Sequence, residues 1–174
     1  RIFFNWAYRE ELIDQNPAER LQKPKRLPSR ERVLDDHELS EVFKNALEEG
    51  WPYGSITALC ILTGQRRGEI AMLEWDWIDF REQTITWPGE KIKNGRMHTI
   101  PFGNVTKELL ETLPRFDQYV FSGSTESAIT FNGWGKCKKR FDKRLEDVAH
   151  YTLHDLRRTF STNHAKLGTP IHVT

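Results

Sequence analysis

The stretch YTLHDLRRTF (151–160) puts His154 and Arg157 three residues apart at the start of a predicted helix. Thr152 followed by Asp155 has the form of a capping box, which predicts a helix beginning near residue 153 with His154 in its first turn. Leu153, Leu156, Phe160 and Leu167 recur at helical spacing and mark the face expected to be buried. His154 and Arg157 then share a face beside that stripe. A helix N-terminus favours an anion through its free N–H groups and dipole, and an imidazole and a guanidinium aimed the same way strengthen that preference. The chemistry suggested is the grip of a phosphate. A solvated, arginine-rich surface turn would carry the same pattern, so a second site has to separate the two accounts.

That second site is LTGQRRGEIAMLEWDWID (62–79). Arg66 stands four residues before Ile70 and seven before Leu73, at the N-terminal end of an apolar stripe, where a buried cation needs a partner or a ligand. Glu69 is the candidate partner, and a closed Arg66–Glu69 ion pair with no ligand is the competing account. Together with Arg157, Arg66 supplies a second guanidinium at a helix start, each able to hold phosphate oxygens in bidentate fashion. Two such forks match the charge that develops on a phosphorane-like transition state.

The elements that must position these groups are legible in outline. Ile2, Phe3, Trp6 and Ala7 form a helical stripe with nothing before it to pack on, so the chain's start reads as a cut edge. Asn16-Pro17 is expected to end that tail, and the Pro- and base-rich segment to about Arg32 reads as a linker. Asp35 and Glu38 form an acidic capping box for a helix through Leu39, Val42, Phe43 and Leu47 that Gly50 stops. YGSITALCILTG (53–64) is an apolar helix ending at Gly64, and GEIAMLEWDWIDF (68–80) carries Ile70, Leu73 and Trp77 on a second helical face. TITW (84–87), EKIK and RMHTIPF read as strands, the last two flanking Asn94-Gly95, a strong hairpin signal. Residues 105–113 and 133–149 are predicted helical and YVFS (119–122) extended. The fold class is therefore α+β, mainly α-helical with a small three-stranded antiparallel sheet.

Composition constrains the partners less than clustering does. The chain has 26 Lys+Arg against 25 Asp+Glu, a formal net charge of +1, which does not by itself announce nucleic acid. Yet RLQKPKRLPSRER (20–32) and KCKKRFDKR (136–144) each hold one acid among many bases. Local patches of this kind bind a phosphate backbone when the total charge cannot. Candidates are Lys23, Lys25 and Arg26 in the first and Lys136, Lys138, Lys139 and Arg140 in the second, although a solvated linker or helix face would look alike. With 37% hydrophobic residues, six Trp and ten Phe, one good core is expected. Cys60 and Cys137, one in an apolar and one in a basic run, suggest neither a disulfide framework nor a zinc site, as fits a reducing cytoplasm. No apolar run is long enough to span a membrane and no signal peptide opens the chain. A metal site on His150, His154 and His164 is a weaker alternative. HYTLH lacks the inner glutamate of an H-E-x-x-H helix, and a cap at Thr152 would break the helix between its histidines.

At this point the motifs carry a resemblance. TGQRRGE resembles the first arginine box of the tyrosine recombinases, the phage-integrase class, and HDLRRT resembles their H-x-L-R-R-T second box. KIKNGRMHTIP, between them, resembles the family's hairpin with its catalytic lysine, and LIDQNPAERLQKPK (12–25) resembles the end of the family's core-binding domain and its linker. The resemblance covers essentially the whole chain and is nearest to integrases of bacterial prophages and genomic islands. It implies the end of a core-binding domain and linker over residues 1–27 and a catalytic domain over 28–174. By it, Arg66, Lys93, His154 and Arg157 occupy catalytic positions with Glu69 in support, while Arg67, Arg96 and Arg158 fall outside them but remain available to DNA. It further implies that a tyrosine hydroxyl attacks a phosphodiester of double-stranded DNA at attachment sites, giving a 3′-phosphotyrosyl link and a free 5′-hydroxyl without metal, ATP or other cofactor. A tetramer would form in the full-length synaptic complex, with this chain alone a monomer. The family's third box, with its Gly-His pair, and the nucleophilic tyrosine belong further downstream than residue 174. His172, with no Gly before it, is read as a surface residue, and Tyr8, Tyr53, Tyr119 and Tyr151 stand in other segments. The chain as it stands is expected not to cleave DNA; the competing expectation is a non-enzymatic DNA-binding relative.

Overall fold

The structure, a computed structural model, describes residues 1–22, 31–92, 95–123 and 130–169. The chain divides into two compact units, residues 1–30 and 31–174. In the first, α1 (Ile2–Arg9) ends well before Asn16-Pro17, with Glu11 in a left-handed conformation soon after. Asn16 organises the return: its Oδ1 accepts the Ala18 N–H at 2.8 Å, and its side-chain amide donates to Asn5 at 2.5 Å. Ala7 and Ala18 are buried, whereas Ile2, Phe3 and Trp6, the stripe seen in the sequence, are exposed within this unit.

The second unit is built around one helix buried nearly all round. It opens on α2 (Asp36–Glu49), started by the predicted capping box: Asp35 accepts the Glu38 N–H at 2.9 Å and Glu38 accepts the Asp35 N–H at 3.1 Å. Gly50, at φ +70°, ends it. The apolar run that follows forms α3 (Tyr53–Thr63), whose Tyr53, Ile56, Ala58, Leu59 and Cys60 are all buried. A run with no polar face can only be stable at the centre of the packing. Accordingly α2, α4 (Arg67–Ala71), α5 (Asn104–Glu111) and α7 (Leu153–Lys166) all pack against it.

Two expectations about the middle of the chain are corrected. The helix expected over 68–80 stops at Ala71 and gives way to a 3-10 turn (Trp75–Trp77) and strand β1 (Ile78–Asp79). The reason is long-range pairing: the Leu73 carbonyl accepts the Val120 N–H at 2.8 Å and the Trp75 N–H donates to the Gln118 carbonyl at 3.0 Å. Those backbone groups are thereby taken from a continuing helix. Ile70 and Leu73 are still fully buried, but Trp77 only partly so. The segment 119–122 contributes isolated bridges, Glu74 to Tyr119 and Ser122 to Thr130, instead of a strand.

The second correction concerns the hairpin. The sheet has the order β1-β2-β3, all antiparallel, with β2 at Thr84–Trp87 and β3 at His98–Pro101. Its third strand is thus Ile78–Asp79 and not EKIK. The β2–β3 ladder closes at the pair Trp87–His98, and the expected Asn94-Gly95 turn rests on residues 93–94, outside the described residues. Pro88 cannot donate to the ladder, and residues 89–91 coil into a 3-10 turn. Gly95, at φ +65°, does turn the chain, its N–H reaching the Ile92 carbonyl at 2.9 Å.

α6 (Trp134–Asp142) is shorter than the predicted 133–149. α7 begins at Leu153 as expected, with Leu153 and Leu156 buried, but Leu167 lies beyond its end and is 81% exposed. Among the described residues no helix is long and apolar enough to cross a membrane.

Candidate functional site

The turn between α3 and α4 starts at Gly64, which ends α3 in the left-handed conformation at φ +63°. A Cβ here would sit 2.3 Å from Cδ1 of Phe160, so glycine serves both the turn and the close approach of α7. That approach carries chemistry: Arg157, one turn before Phe160 on α7, donates from Nη1 to the Gly64 carbonyl at 2.5 Å. The first and second boxes, far apart in sequence, are therefore joined by a direct bond between the arginine of one and the backbone of the other.

Arg66 follows as the N-cap residue of α4. Glu69 accepts its backbone N–H at 3.2 Å and its Nη1 at 2.7 Å, leaving the Arg66 side chain 54% exposed and that of Glu69 12% exposed. The expectation of a buried Arg66 is thus corrected. The arginine stands at the rim of the core, and the carboxylate is the more enclosed partner. On α7, the Asp155 carboxylate accepts the Thr152 N–H at 2.8 Å and the Thr152 hydroxyl at 2.9 Å, which starts the helix and turns the exposed His154 outward.

Arg66, His154 and Arg157 line one cleft of about 700 Å3, together with Gln65, Arg67, Glu69, Met72, Lys91, Ile92 and the start of α7. Among the described residues its charge is one-sided, with Arg66, Arg67, Lys91 and Arg157 against the one carboxylate of Glu69. Burial depresses the Arg157 pKa below the usual arginine value, and the neighbouring Arg66 charge depresses it further against the pull of Glu69. Two like charges held this close, one of them desolvated, destabilise the empty cleft electrostatically and favour an anion between them. A phosphate diester is the ligand that two planar forks and a helix N-terminus suit.

Other predicted residues are placed as follows. Arg67 lies with its guanidinium carbon 5.0 Å over the Trp134 ring. Arg96 is exposed and Arg158 half-buried; Lys136 and Lys139 are exposed on α6. Lys138 and Arg140, offered to DNA by the sequence pattern, are engaged within the protein. Lys138 bonds Asp142 at 2.5 Å and lies 4.0 Å over the Tyr151 ring, and Arg140 pairs with Glu49, which also takes Arg144 at 2.7 Å. Lys93, Lys23, Lys25, Arg26 and His172 lie outside the described residues. His164 contacts Thr169 at 3.3 Å and the Phe160 ring, and among the described residues no three His, Cys, Asp or Glu side chains are grouped to hold a metal. No tyrosine lines the cleft; Tyr53 and Tyr151 are 1% exposed.

The groups that hold the boxes in place are not marked by sequence spacing. Thr159 is wholly buried, its hydroxyl donating to the Asp155 carbonyl and accepting the Leu34 N–H, each at 2.9 Å. Glu38, beyond capping α2, pairs with Arg32 and accepts the Ala149 N–H at 3.1 Å, fixing the strand of chain that enters α7. Trp87 donates to the Glu69 carbonyl at 3.0 Å, and His98 bonds Gln65 at 3.2 Å. A buried polar or aromatic residue next to a box was the available signal, but its partner lies too far along the chain to be read from spacing.

The model of the phage integrase family matches residues 32–174, and the chain belongs to that family. It is 32% identical over 170 residues to the prophage integrase IntZ of Escherichia coli K12, covering 91% of this chain and 40% of that protein. It is 28% identical to the tyrosine recombinase XerC of Bacillus pumilus, covering 94% of this chain and 58% of XerC. Among solved structures, XerA recombinase aligns with a TM-score of 0.66 at 20% identity, over 86% of this chain and 55% of that one. A lambda integrase dimer bound to a core site aligns with a TM-score of 0.62 at 21% identity, over 94% and 63%. At these identities the structures establish a shared fold. The chain spans about half the length of the relatives it matches.

Proposed function

We propose that this chain is the catalytic region of a site-specific DNA recombinase that cuts and rejoins duplex DNA by transesterification, with residues 1–27 the end of a core-binding domain and its linker and 28–174 the catalytic domain. The observation that carries this reading is the convergence of Arg66, His154 and Arg157 on one cation-rich cleft. In the reaction, a tyrosine Oη supplied from beyond the cleft gives up its proton to solvent water and bonds to phosphorus as the P–O5′ bond breaks. Arg66 and Arg157 hold the two non-bridging oxygens as charge builds on them, and Glu69 orients Arg66. His154 orients the nucleophile or holds the phosphate. Lys93 gives its proton to the departing 5′-oxygen. Because transesterification conserves bond energy, rejoining runs the same steps in reverse with no metal or ATP. The partner is double-stranded DNA at attachment sites, met in the cytoplasm, with a tetramer as the synaptic assembly of the full-length protein. The lambda integrase relative, solved as a dimer on a core site, supports the DNA partner.

The test is a trapping experiment. A form extended through a third box and its tyrosine should become covalently attached to a nicked attachment-site duplex, and the 174-residue chain should not. An extended form that binds the duplex but never yields an adduct would identify a non-enzymatic DNA-binding relative instead.

A further inference from the structure

Arg67, the residue after the first-box arginine, is exposed, and among the described residues it takes part in none of the ion pairs. Its guanidinium carbon lies instead 5.0 Å over the ring of Trp134, the first residue of α6. Trp134 is held in turn: its ring meets Phe131 edge-on at 4.9 Å and Tyr53, a buried residue of α3, at 6.5 Å. A cation–π contact uses the face of the ring and takes up no hydrogen-bond acceptor, so the arginine is fixed in direction while its N–H donors stay open to a ligand. That is the condition for a preorganised anion contact. Arg67 also lines the cleft that holds Arg66 and Arg157, so the stack stands where that cleft meets α6.

Two glycines make the stack approachable. Gly68 follows Arg67 in α4 and Gly135 follows Trp134 in α6, and both are exposed. Glycine inside a helix is unfavourable relative to alanine. Yet neither has the positive φ that would require it, and among the described residues a Cβ at either would meet nothing within 4 Å outside its own helix. The described fold therefore gives no reason for glycine at these positions, whereas the backbone of a ligand passing close over them accounts for both. Gly135 stands four residues before Lys139 and Lys136 three before it, so all three share one exposed face of α6.

We propose that Arg67, stacked on Trp134 and flanked by Gly68 and Gly135, is a second phosphate subsite, which grips a backbone phosphodiester of duplex DNA outside the scissile position and leads the strand from the cleft onto the Lys136 and Lys139 face of α6. This rests on duplex DNA being the partner, as proposed above. Arg67 makes the contact; Trp134 is a positioning residue that fixes its direction.

The experiment titrates the 174-residue chain with a labelled duplex over a range of salt concentrations, reading affinity and its salt slope beside a melting curve for each variant. Arg67→Ala should weaken binding and lower the slope by about one counterion, as the loss of one phosphate contact requires. Trp134→Leu, which keeps an apolar side chain against Phe131, should weaken binding by about two- to fivefold, the range for a lost cation–π contact, and Trp134→Phe should restore most of it. In an Arg67→Ala background Trp134→Leu should cost nothing further. Gly135→Ala should hold or raise the melting temperature, as alanine in a helix does, yet weaken binding by about threefold or more. Equal losses from Trp134→Leu with and without Arg67 would show that the tryptophan acts through fold stability, and wild-type affinity in Gly135→Ala would show that no strand passes there; either result overturns the subsite. A wild-type chain whose duplex binding ignores salt would instead remove DNA as the partner, and the subsite with it.

Discussion

At the scale of single residues, the decisive feature is that Arg66 and Arg157 are not equivalent forks. Arg66 is half exposed and braced by Glu69, whereas Arg157 is more enclosed and spends one N–H on the Gly64 carbonyl. Replacing either with Ala in an extended, cleavage-competent form should lower the rate of adduct formation about a hundredfold or more, the usual cost of a lost transition-state donor. Lysine should rescue the two differently. At 66 it still meets Glu69 as a point charge, but at 157 it must abandon either the Gly64 carbonyl or the phosphate. Single-turnover cleavage by Arg66→Lys and Arg157→Lys should therefore leave the second variant markedly slower, and equal rates would refute the distinction. The basic residues divide in the same way. Among the described residues Lys136 and Lys139 take no part in the ion pairs that hold Lys138 and Arg140, so each Ala substitution at 136 or 139 should reduce the salt dependence of duplex binding by about one counterion. Substitution at 138 or 140 should instead lower thermal stability, and a salt titration beside a melting curve reads both.

At the scale of elements, two contacts keep the boxes together and each makes a stability prediction. Gly64 has the left-handed φ and the Phe160 ring against it, so Gly64→Ala should destabilise the domain by about 1–3 kcal/mol, visible as a lowered denaturant midpoint, and should weaken duplex binding as α7 is pushed off the first box. Glu38 joins the start of α2 to Arg32 and to the segment entering α7. The bond from Arg32 is the main reason its carboxyl titrates below the ordinary glutamate value, helped by the Asp35 and Ala149 N–H groups against the opposing effect of burial. A depressed folded-state pKa means the stabilisation is fully present above the unfolded value of about 4.3 and is lost as pH falls through the folded value. Denaturation midpoints measured from neutral pH down to about 3 should fall more steeply for wild type than for Glu38→Gln, whose amide does not titrate. Parallel curves for the two proteins would remove Glu38 from this role.

For the whole molecule, a net charge of +1 conceals a cleft in which cations outnumber carboxylates, and that asymmetry is what duplex DNA would meet. Much of this was legible from residue types in order. Capping pairs at 35/38 and 152/155 and glycines at 50 and 64 mark helix ends because those signals act within a few residues of backbone. The two arginine boxes likewise mark Arg66, Glu69, His154 and Arg157, which line one cleft. Tertiary structure alone decided what depends on partners distant in the chain. Backbone pairing with residues 118–120 ended the helix after Ala71, and pairing with β2 made Ile78–Asp79 the third strand of the sheet. Ion pairing with Glu49, 91 residues away, withdrew Arg140 from the surface charge that composition had counted, whereas the pairing of Lys138 with Asp142 is a local contact one helical turn long. The physical reason is range: caps and periodicity are local energies written in adjacent residues. Which cation stays free, and which carbonyl an arginine finds, is settled only when segments nearly a hundred residues apart compete for the same hydrogen bonds.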